Sequence, residues 1–599
     1  MDSDLGRLDL RAVADHGGLR QRRRARAPRS ARHDSRHVGR TAHDPSAPAR
    51  RCGAAAGLPS GLPRHPAAGE ATTMSNARFL PIRKTAIRRA TELSFGRAKI
   101  ESTTLHVMGI AVAAISFGMF VGALVEWGST NRDTAALLIS GTIALGAGSL
   151  LWWITVPGTV RARDVFSAVG WTWLVVTLVG AVPYLLGGTF DVPGIDRSGQ
   201  FVNAIFESAS GYSCTGSTAL TDFGHPGRGM MMYRQITQWY GGMGIVVLAV
   251  AVLPFLGVGG LDLMSAEAPG PSGDRLTPRV SETAKRLWAT YVLFTLAVAV
   301  TLVIIPGPSL YDGIAHGLTT ASTGGFSPRA DSIGAFDSLA VEIAIIAGMV
   351  VGGTNFALHW RALRGDAGAY WRDPELRAYV GLLVGASALV VGLLWLDGGF
   401  SFDSAARAGV FNVVALGTST GFGSAQAGGS PGDFVLWVPA AQMVILLLMV
   451  VGASSGSTSG GIKVMRVQVL LSHSIRAIRR SQQPHAVIPV KHGRRAVRED
   501  IVSRMAGFFL VYLLLVLAGI VILTALGGGF VESIGATVGA LGNMGPALGS
   551  AGPTANFTEA FTEPGRLVLA LYMLIGRLEI FPILLMFAAP LRTIRDRFS

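Results

Sequence analysis

Four short loops that contain glycine recur along the chain, and each lies between two long apolar runs. In chain order, glycine loops 1 to 4 read Cys214-Thr215-Gly216-Ser217, Ser322-Thr323-Gly324-Gly325, Ser419-Thr420-Gly421-Phe422 and Asn543-Met544-Gly545-Pro546. If four such loops meet around one axis, their main-chain carbonyl groups form rings of oxygen atoms. Rings of that kind replace the hydration shell of a K⁺ ion, so the loops predict a cation pathway built from backbone.

Each glycine loop offers a glycine at its turning point and two preceding residues that supply carbonyl oxygens. Carbonyls that face inward in succession require φ values that a Cβ atom penalises, and glycine removes that penalty. The candidate K⁺ ligands are Cys214, Thr215, Gly216, Ser322, Thr323, Gly324, Ser419, Thr420, Gly421, Asn543, Met544 and Gly545. The alternative is that small residues only let membrane helices approach closely. The placement of all four loops between paired spans favours ion binding.

A run of small residues, 452–461, interrupts the second apolar span of the third pair. Such a run cannot hold a firm helix, and a broken helix beside a pore is a candidate moving part. We expect an intramembrane gate loop at 453–461, below the filter, with a plain loop outside the membrane as the alternative. The candidate gate residues are Gly456, Ser457, Thr458, Gly460, Gly461, Lys463 and Arg577.

Arg577 lies near the middle of the last apolar span, and Glu579 follows closely. A charge at that depth usually faces a cavity or a partner. A local Arg577–Glu579 pair and snorkelling to the surface are the alternatives, but residues two positions apart do not face each other on a helix. The sequence predicts that Arg577 borders the pore near loop 453–461 and raises the electrostatic barrier to cations.

The elements that must position these residues are membrane spans. The chain has 599 residues, of which 50% are hydrophobic and 15% charged, and its mean hydropathy is +0.44, values typical of a polytopic membrane protein. An apolar stretch of about 20 residues crosses the hydrocarbon core. Ten such spans are predicted, at about 105–126, 135–156, 165–187, 232–257, 286–306, 338–360, 376–396, 434–452, 502–526 and 566–590.

The last eight spans form four pairs, and each pair encloses a segment of about 10–14 residues that ends at one glycine loop. Such segments are too short to cross and suit re-entrant helices. Their starts lie near Asn203, Asp312, Asp403 and Glu532, and an acidic residue there suits the positive end of a helix. The predicted fold is an all-α polytopic membrane protein. Four pseudo-repeats of helix, re-entrant pore helix with filter loop, and helix surround one central pore, after two extra transmembrane helices.

The predicted boundaries follow from this pattern. They are a disordered basic tail at 1–73, two N-terminal transmembrane helices at 74–163, and pore repeats at 164–275, 276–370, 371–498 and 499–599. The tail supplies +7 of the net charge of +15 and has little with which to build a core. We interpret it as a mis-annotated start, with Met74 as the true first residue, against the alternative of a basic tail that touches anionic lipid.

The remaining charge indicates orientation rather than nucleic-acid binding. Arginine and lysine concentrate in the linkers between pairs and at the C-terminal end, whereas acidic residues flank the glycine loops. By the positive-inside rule, those linkers and the C-terminus face the cytoplasm. The filter loops then lie in the outer half of the membrane, and lipid rather than nucleic acid is the expected surrounding partner.

Seven stretches carry a family resemblance. They read NAIFESASGYSCTGSTALTD (203–222), QWYGGMGI (238–245), HGLTTASTGGFSP (316–328), FNVVALGTSTGFG (411–423), GSTSGGIKVMR (456–466), GALGNMGPALG (539–549) and GRLEIFP (576–582). Together they resemble the potassium-transport subunits of the TrkH/KtrB/HKT superfamily, and the two extra N-terminal spans resemble the TrkH branch. The resemblance implies K⁺ uptake across a bacterial inner membrane, a homodimer, and cytoplasmic nucleotide-binding regulatory subunits of the TrkA type.

The resemblance also bears on ion choice. In the plant HKT branch a serine at the position that matches Gly216 goes with Na⁺ permeation, so glycine in all four loops favours K⁺. Cys214 departs from the threonine more common in the family, which leaves a backbone role intact.

Other functions remain as alternatives. A Na⁺- or H⁺-coupled symporter of the same superfamily is one. A secondary transporter for another solute would need inverted repeats, whereas these repeats all run in the same direction. An enzyme is not expected, because the sequence has no metal-spaced cluster, nucleophile motif or P-loop, and His316 and His359 are isolated. K⁺ is expected as the transported ion, without an organic cofactor.

Overall fold

The computed structural model describes residues 100–128, 132–157, 162–251, 276–426, 430–553 and 556–580. The predicted tail 1–73 lies outside the described residues, as do 252–275 and 581–599 at the ends of the first and fourth predicted repeats. The other predicted boundaries between repeats stay predictions.

The described residues are mainly helical. In chain order the helices are α1 Thr103–Val125, α2 Arg132–Ile154, α3 Ala162–Gly180, α4 Val182–Gly187, α5 Arg197–Ser213, α6 Arg228–Ala251, α7 Leu276–Ile304, α8 Leu310–Ala321, α9 Leu339–Gly352, α10 Phe356–Leu363, α11 Ala369–Arg372, α12 Pro374–Leu396, α13 Phe402–Gly417, α14 Pro439–Val451, α15 Val464–Gln482, α16 Glu499–Ala525, α17 Phe530–Gly542, α18 Phe557–Ala560 and α19 Glu563–Arg577. Short 3₁₀ turns lie at Ser332–Phe336, Phe434–Leu436 and Gly549–Ala551. Two minimal sheets pair β1 Ile100–Glu101 with β2 Thr155–Val156 in parallel, and β3 Lys491–His492 with β4 Arg495–Ala496 in antiparallel.

Six helical segments of the described chain are long and apolar enough to cross a membrane. They are Thr103–Val125, Arg132–Ile154, Ala168–Gly187, Glu282–Ile304, Pro374–Leu396 and Glu499–Ala525. They correspond to the two predicted N-terminal spans and to the first span of each predicted pair. The all-α polytopic membrane class is therefore confirmed.

Within the described residues, the second span of each pair departs from the predicted straight apolar span, while 252–257 of the first and 581–590 of the last lie outside the described residues. Helix α6 is long but carries the polar residues Arg234, Gln235 and Gln238. Helices α9 and α10 replace one straight span and are bent by 100° at their junction. Helix α14 has only 13 residues, and α19 ends at Arg577. Helices α9, α14 and α19 each end beside a glycine loop: Gly352 lies against Thr323, Met449 against Gly542, and Arg577 against Cys214.

A short helix precedes each glycine loop, as predicted. These pore helices are α5, α8, α13 and α17, with 17, 12, 16 and 13 residues. Asp312, Asp403 and Glu532 lie in the first turns of the last three. The prediction for the first is wrong, because α5 begins at Arg197 after the N-cap Asp196, and Asn203 is buried within the helix.

The pore helices pack closely on the span that precedes each of them, because small residues let the backbones approach. A Cβ atom added at Gly180 of α3 would lie 2.7 Å from Ser208 Oγ of α5, and one at Gly317 of α8 would lie 2.8 Å from Ala299 of α7. Ser208 also donates a hydrogen bond to Thr177 O at 2.7 Å. These contacts fix the ends of the pore helices, and hence the glycine loops, inside the protein.

Candidate functional site

The four pore helices end with the same backbone turn. Each is followed by a residue in the left-handed region: Cys214 with φ 55°, Thr323 with 48°, Ser419 with 58° and Asn543 with 52°. The N–H of that residue bonds to the carbonyl three positions earlier, and the next N–H bonds to the carbonyl five positions earlier. In loop 1 these bonds join Cys214 N to Gly211 O at 3.0 Å and Thr215 N to Ser210 O at 2.9 Å. The four loops can therefore be compared residue by residue.

This comparison corrects the predicted register of loop 2. The residue that corresponds to Gly216 (φ 88°) and Gly421 (φ 76°) is Gly325 (φ 83°), because Gly324 is not in the left-handed region. The corresponding set is Thr323, Gly324 and Gly325, so the predicted set that began at Ser322 is one position early. The motif contains two adjacent glycines, and the end of helix α8 at Ala321 helps to decide which one takes the left-handed turn.

Loop 4 also departs from the expectation that every loop glycine needs a left-handed φ. Gly545 is not among the left-handed glycines, whereas Asn543 is left-handed. Pro546 follows Gly545, and the residue before a proline is pushed towards extended conformations. Asparagine tolerates the left-handed region better than most residues, which suits it to the turn in this loop.

The glycines of the four loops form a closed ring of backbone contacts. A Cβ atom on Gly216 would lie 3.4 Å from Gly325 Cα, and one on Gly325 would lie 3.2 Å from the carbonyl carbon of Gly421. A Cβ atom on Gly421 would lie 2.8 Å from Gly545 N, and one on Gly545 would lie 2.8 Å from the carbonyl carbon of Gly216. Each loop thus touches the next and the fourth returns to the first, so a side chain at any of these positions would collide with backbone.

Side chains of the loop residues form hydrogen bonds between the loops and to a neighbouring helix. Ser217 Oγ donates to Gly545 O at 2.8 Å and joins loops 1 and 4. Asn543 Nδ2 donates to Met573 O at 2.8 Å and to Thr215 Oγ1 at 3.2 Å. These bonds keep the side chains of Ser217 and Asn543 in contact with neighbouring parts of the protein, and Met544 and Thr420 are buried.

Gln238 of α6 forms hydrogen bonds with the backbone of loop 2. The sequence did not predict this contact. Gln238 Nε2 donates to Gly324 O at 2.6 Å, and its Oε1 accepts from Phe326 N at 3.0 Å. Its amide therefore fixes the backbone on both sides of Gly325. The QWYGGMGI stretch marked this residue only as part of a motif, and nothing in its spacing indicates a contact with loop 2.

A buried ion pair, also missed from the sequence, joins the segments that follow loops 1 and 2. Glu207 of α5 pairs with Arg234 of α6 and accepts from Ala219 N at 2.8 Å and Thr218 Oγ1 at 3.1 Å. Arg234 Nη1 donates to Ser327 O at 2.9 Å. Polar residues inside apolar membrane helices were the available signal, but only the structure pairs them.

A small cavity of about 50 Å³ lies beside the ring and is lined by Gly216, Gly325, Gly421 and Gly545 together with residues that follow them. Arg234 is also part of its wall. Residues from all four loops therefore meet at one point that a small ion or water molecule can enter.

The loop at 452–463, between α14 and α15, contacts the residues that precede the ring glycines. Thr458 Oγ1 is 3.2 Å from Ala321 O and from Gly352 O, and Thr323 Oγ1 donates to it at 3.2 Å. Gly460 N donates to Ser419 Oγ at 2.7 Å. The loop is therefore bonded to glycine loops 2 and 3, and its role as a gate stays a prediction.

The other predicted gate residues differ in position. Ser457 and Lys463 are buried; Ser457 Oγ donates to Ser454 O, and Lys463 Nζ donates to Ser459 O, both at 2.6 Å. Gly461 takes a left-handed turn with φ 78°. Gly456 is exposed, and its carbonyl accepts from Phe356 N at 3.1 Å, so it lies at the edge of the loop rather than beneath the ring.

Arg577 is 2% exposed and lies beside the 452–463 loop. Its Nη1 donates to Thr458 O at 2.8 Å, and its Nη2 donates to Gly241 O at 2.9 Å and lies 3.2 Å from Cys214 Sγ. Glu579 pairs instead with Arg466, so the alternative of an Arg577–Glu579 pair is wrong. Arg577 thus connects the 452–463 loop to glycine loop 1.

A helical membrane fold in which four buried pore helices end at one ring of backbone defines a polytopic membrane transport protein. The family model described as "TrkH: Cation transport protein" matches residues 134–594. The chain belongs to this family, and the resemblance seen in the sequence is confirmed.

Relatives match over most of their length. "Trk system potassium uptake protein TrkH" of Escherichia coli strain K12 is 36% identical over 489 residues, which cover 80% of this chain and 97% of the relative. The protein of the same name from Halomonas elongata is 36% identical over 495 residues, with coverage of 81% and 97%. The crystal structure of the potassium transporter TrkH from Vibrio parahaemolyticus is similar with a TM-score of 0.71 and 30% identity, over 80% of this chain and 97% of that one. These relatives are transport proteins, so the expectation that the chain is not an enzyme is confirmed.

Proposed function

We propose that this protein takes up potassium ions through a filter formed by the four glycine loops. The observation that carries the proposal is the closed ring of backbone contacts between Gly216, Gly325, Gly421 and Gly545. The names of the relatives from Escherichia coli and Halomonas elongata, which are potassium uptake proteins, support K⁺ as the transported ion.

The filter acts through main-chain carbonyls of the predicted ligand residues, with loop 2 read one position later. Carbonyl oxygens replace the water molecules around a K⁺ ion, and the number and strength of these dipoles, or the size of the ring, set the preference over Na⁺. The differing side chains at the left-handed positions, from Cys214 to Asn543, are compatible with this role because the backbone makes the site.

The 452–463 loop acts as the gate. It supports the inner side of the ring through Thr458 and Gly460, and Arg577 adds a positive charge beside Thr458. That charge raises the energy of a cation next to it, and Lys463 adds a second buried cation in the same loop. Displacement of the loop therefore removes a steric barrier and the charge of Lys463, and it frees Arg577, which belongs to α19, from Thr458.

The membrane potential is sufficient to drive uptake. One charge that moves through ~100 mV gains about 2.3 kcal/mol, which corresponds to roughly fifty-fold accumulation. The alternative of Na⁺- or H⁺-coupled symport needs a carboxylate that exchanges its partner during transport. Glu207 and Glu579 are each paired with an arginine, so neither offers a free carboxylate to a coupling ion. The buried Glu375, which accepts hydrogen bonds from backbone, is the carboxylate through which the symport alternative can be tested.

The proposal also includes the oligomeric state, the membrane location and the regulatory partners of the protein. The protein acts as a homodimer in the bacterial inner membrane, with its C-terminus in the cytoplasm and regulatory subunits of the TrkA type on that side. The arginine-rich linkers between the predicted repeats support this orientation.

Uptake of ⁸⁶Rb⁺ into proteoliposomes, with an imposed potential, tests the transport proposal. We expect K⁺ to compete strongly with ⁸⁶Rb⁺. Na⁺ and choline should compete only weakly. Uptake that requires a Na⁺ or H⁺ gradient at zero potential would favour the symport alternative. Rescue of a bacterium deficient in K⁺ uptake, with and without the regulatory subunit, then tests the partner, and absence of uptake in both assays would refute the proposed function.

A further inference from the structure

A second cavity, separate from the glycine loops, lies between α10, α11, the start of α12 and the β3–β4 hairpin. Its volume is about 880 Å³, which is within the range of sites that hold small ligands. Its walls include Asn355, Trp371, Glu375, Met465 and His492. Nothing in the proposed ion pathway uses this cavity.

The cavity is basic. Arginine side chains in its lining are Arg361, Arg372, Arg377, Arg494 and Arg495, and carboxylates are Asp373 and Glu375. Both carboxylates are engaged by backbone: Asp373 Oδ1 accepts from Leu376 N at 2.8 Å, and Glu375 Oε1 accepts from Ser455 N at 2.6 Å and Met465 N at 3.2 Å. The cavity therefore has an excess of guanidinium groups.

Two of these arginines are available for a ligand. Arg361 and Arg372 share the carboxylate of Asp366, whose pKa is lowered by the hydrogen bond from Arg361. The guanidinium groups of Arg377 and Arg494 have no hydrogen bond or ion pair to the part of the chain that the structure describes, although Arg377 N donates to Asp373 O at 3.3 Å. Guanidinium groups bind phosphate oxygens through paired N–H donors, which makes a phosphate-bearing ligand the best match.

The surroundings favour a lipid as the source of that phosphate. Trp371, in the wall, is 81% exposed, and tryptophan is enriched where protein meets the membrane interface. Arg377, Val380 and Val384 follow one face of the membrane span α12, and the two valines are 41% and 63% exposed. Acyl chains can therefore lie against the valines while the headgroup reaches Arg377.

We propose that this cavity binds the phosphate headgroup of an anionic phospholipid. Arg377 and Arg494 hold the phosphate oxygens, and the acyl chains run along the exposed face of α12. Basic pockets between membrane helices on the cytoplasmic side are suited to such headgroups. A free phosphate ester has the same recognition chemistry but cannot use Val380 and Val384.

Occupancy of the cavity also affects the gate, a consequence that rests on the proposed function. Glu375 lies in the cavity wall and accepts hydrogen bonds from Ser455, inside the 452–463 loop, and from Met465, just after it. Asn355, in the same wall, lies about 3.0 Å from a Cβ atom added at Gly456. A bound headgroup therefore touches the groups that hold one end of the loop.

Lipid binding to the full chain tests the site without measuring transport. Purified protein in detergent is titrated with phosphatidylglycerol, and the bound lipid is counted by native mass spectrometry. We expect Arg377→Gln with Arg494→Gln to weaken binding at least about tenfold, since hydrogen bonds to charged groups are lost. The matched control, Arg479→Gln with Arg480→Gln, removes the same charge from the exposed end of α15 and should bind like the unaltered chain.

Three outcomes would overturn the proposal. They are equal binding of phosphatidylcholine and phosphatidylglycerol, equal loss in the control pair, or binding of sn-glycerol 3-phosphate as tight as that of the lipid. Val380→Ser with Val384→Ser, which keeps every charge, should weaken the lipid but not the free ester. Thermal unfolding midpoints identify any variant that fails to fold, and Arg377→Lys then serves in its place with a smaller expected loss.

A second arm measures ⁸⁶Rb⁺ uptake in liposomes of phosphatidylcholine with and without phosphatidylglycerol. Faster uptake with the anionic lipid is expected for the unaltered chain and the control pair, and not for the cavity pair. Because the binding titration needs no ion flux, failure of the site and failure of the proposed transport function give different results.

Discussion

Removal of the Glu207 charge is the sharpest test of how the ring is held. In Glu207→Gln the side chain keeps its shape, but Arg234 keeps its charge without a carboxylate. The two side chains are 0% and 2% exposed, so bulk water does not replace the carboxylate as a partner of the guanidinium. Breaking such a buried pair costs about 3–5 kcal/mol. Glutamine also has only one acceptor oxygen, so either Arg234 Nε or Ala219 N, which bond to different oxygens of Glu207, then faces the amide NH2 group and loses its hydrogen bond.

The expected result has two parts. The unfolding midpoint in detergent falls. In the ⁸⁶Rb⁺ uptake assay, the difference between competition by K⁺ and competition by Na⁺ also becomes smaller, because Thr218 and Ala219 directly follow loop 1. Arg234→Met in the Glu207→Gln background should recover part of the stability, since Arg234 lies over the ring of Phe326 at 3.4 Å and a methionine can fill that contact.

Glu342→Gln is the matched control. Glu342 is also buried, but its partner Arg407 is 38% exposed, so water can solvate the arginine after the change. Exposed pairs contribute about 0–1 kcal/mol, and the control should lose less stability and no ion preference. If Glu207→Gln and Glu342→Gln behave alike in both assays, the ion pair does not hold the loops.

Two further predictions concern the ring and the loop beside it. Gly325→Ala, at φ 83° and against the backbone of Thr420 and Gly421, should reduce ⁸⁶Rb⁺ uptake more than tenfold. Gly324→Ala should cost less, because its φ is not left-handed and its added Cβ meets the Gln238 side chain rather than backbone. Equal losses would contradict the corrected register of loop 2. Arg577→Ala should increase K⁺ conductance and Arg577→Lys should not, because only the former removes the charge beside Thr458. Unchanged conductance in Arg577→Ala would show that this charge is not a barrier.

The sequence predicts the long helices and the short helices before the glycine loops, because segment length and apolar content suffice for both. It does not predict the bend between α9 and α10. The stretch 338–360 remains apolar on average, so the few polar residues near Asn355 hardly change the pattern, although the helix ends there to meet the 452–463 loop.

The details of the ring depend on contacts that local patterns do not encode. Loop 2 offers two glycines in a row, and the correct one is fixed by the end of α8 and by Gln238 from another helix. The Glu207–Arg234 pair joins two helices, and neither residue repeats in the other loops. A comparison of the four loops finds the residues that they share. It therefore does not find the Glu207–Arg234 pair, which occurs beside only one of them.

Thr458 has a consequence for how this protein can evolve. Its hydroxyl meets Thr323 and the end of α8, while its carbonyl receives Arg577, which also reaches Cys214. Thr458 thus belongs to the 452–463 loop, which is the proposed gate, and it also supports the glycine loops, which are the proposed filter. Transport rate and ion selectivity are then coupled at this residue. Substitutions near Thr458 that are selected for faster transport should also let the wrong ion pass more often.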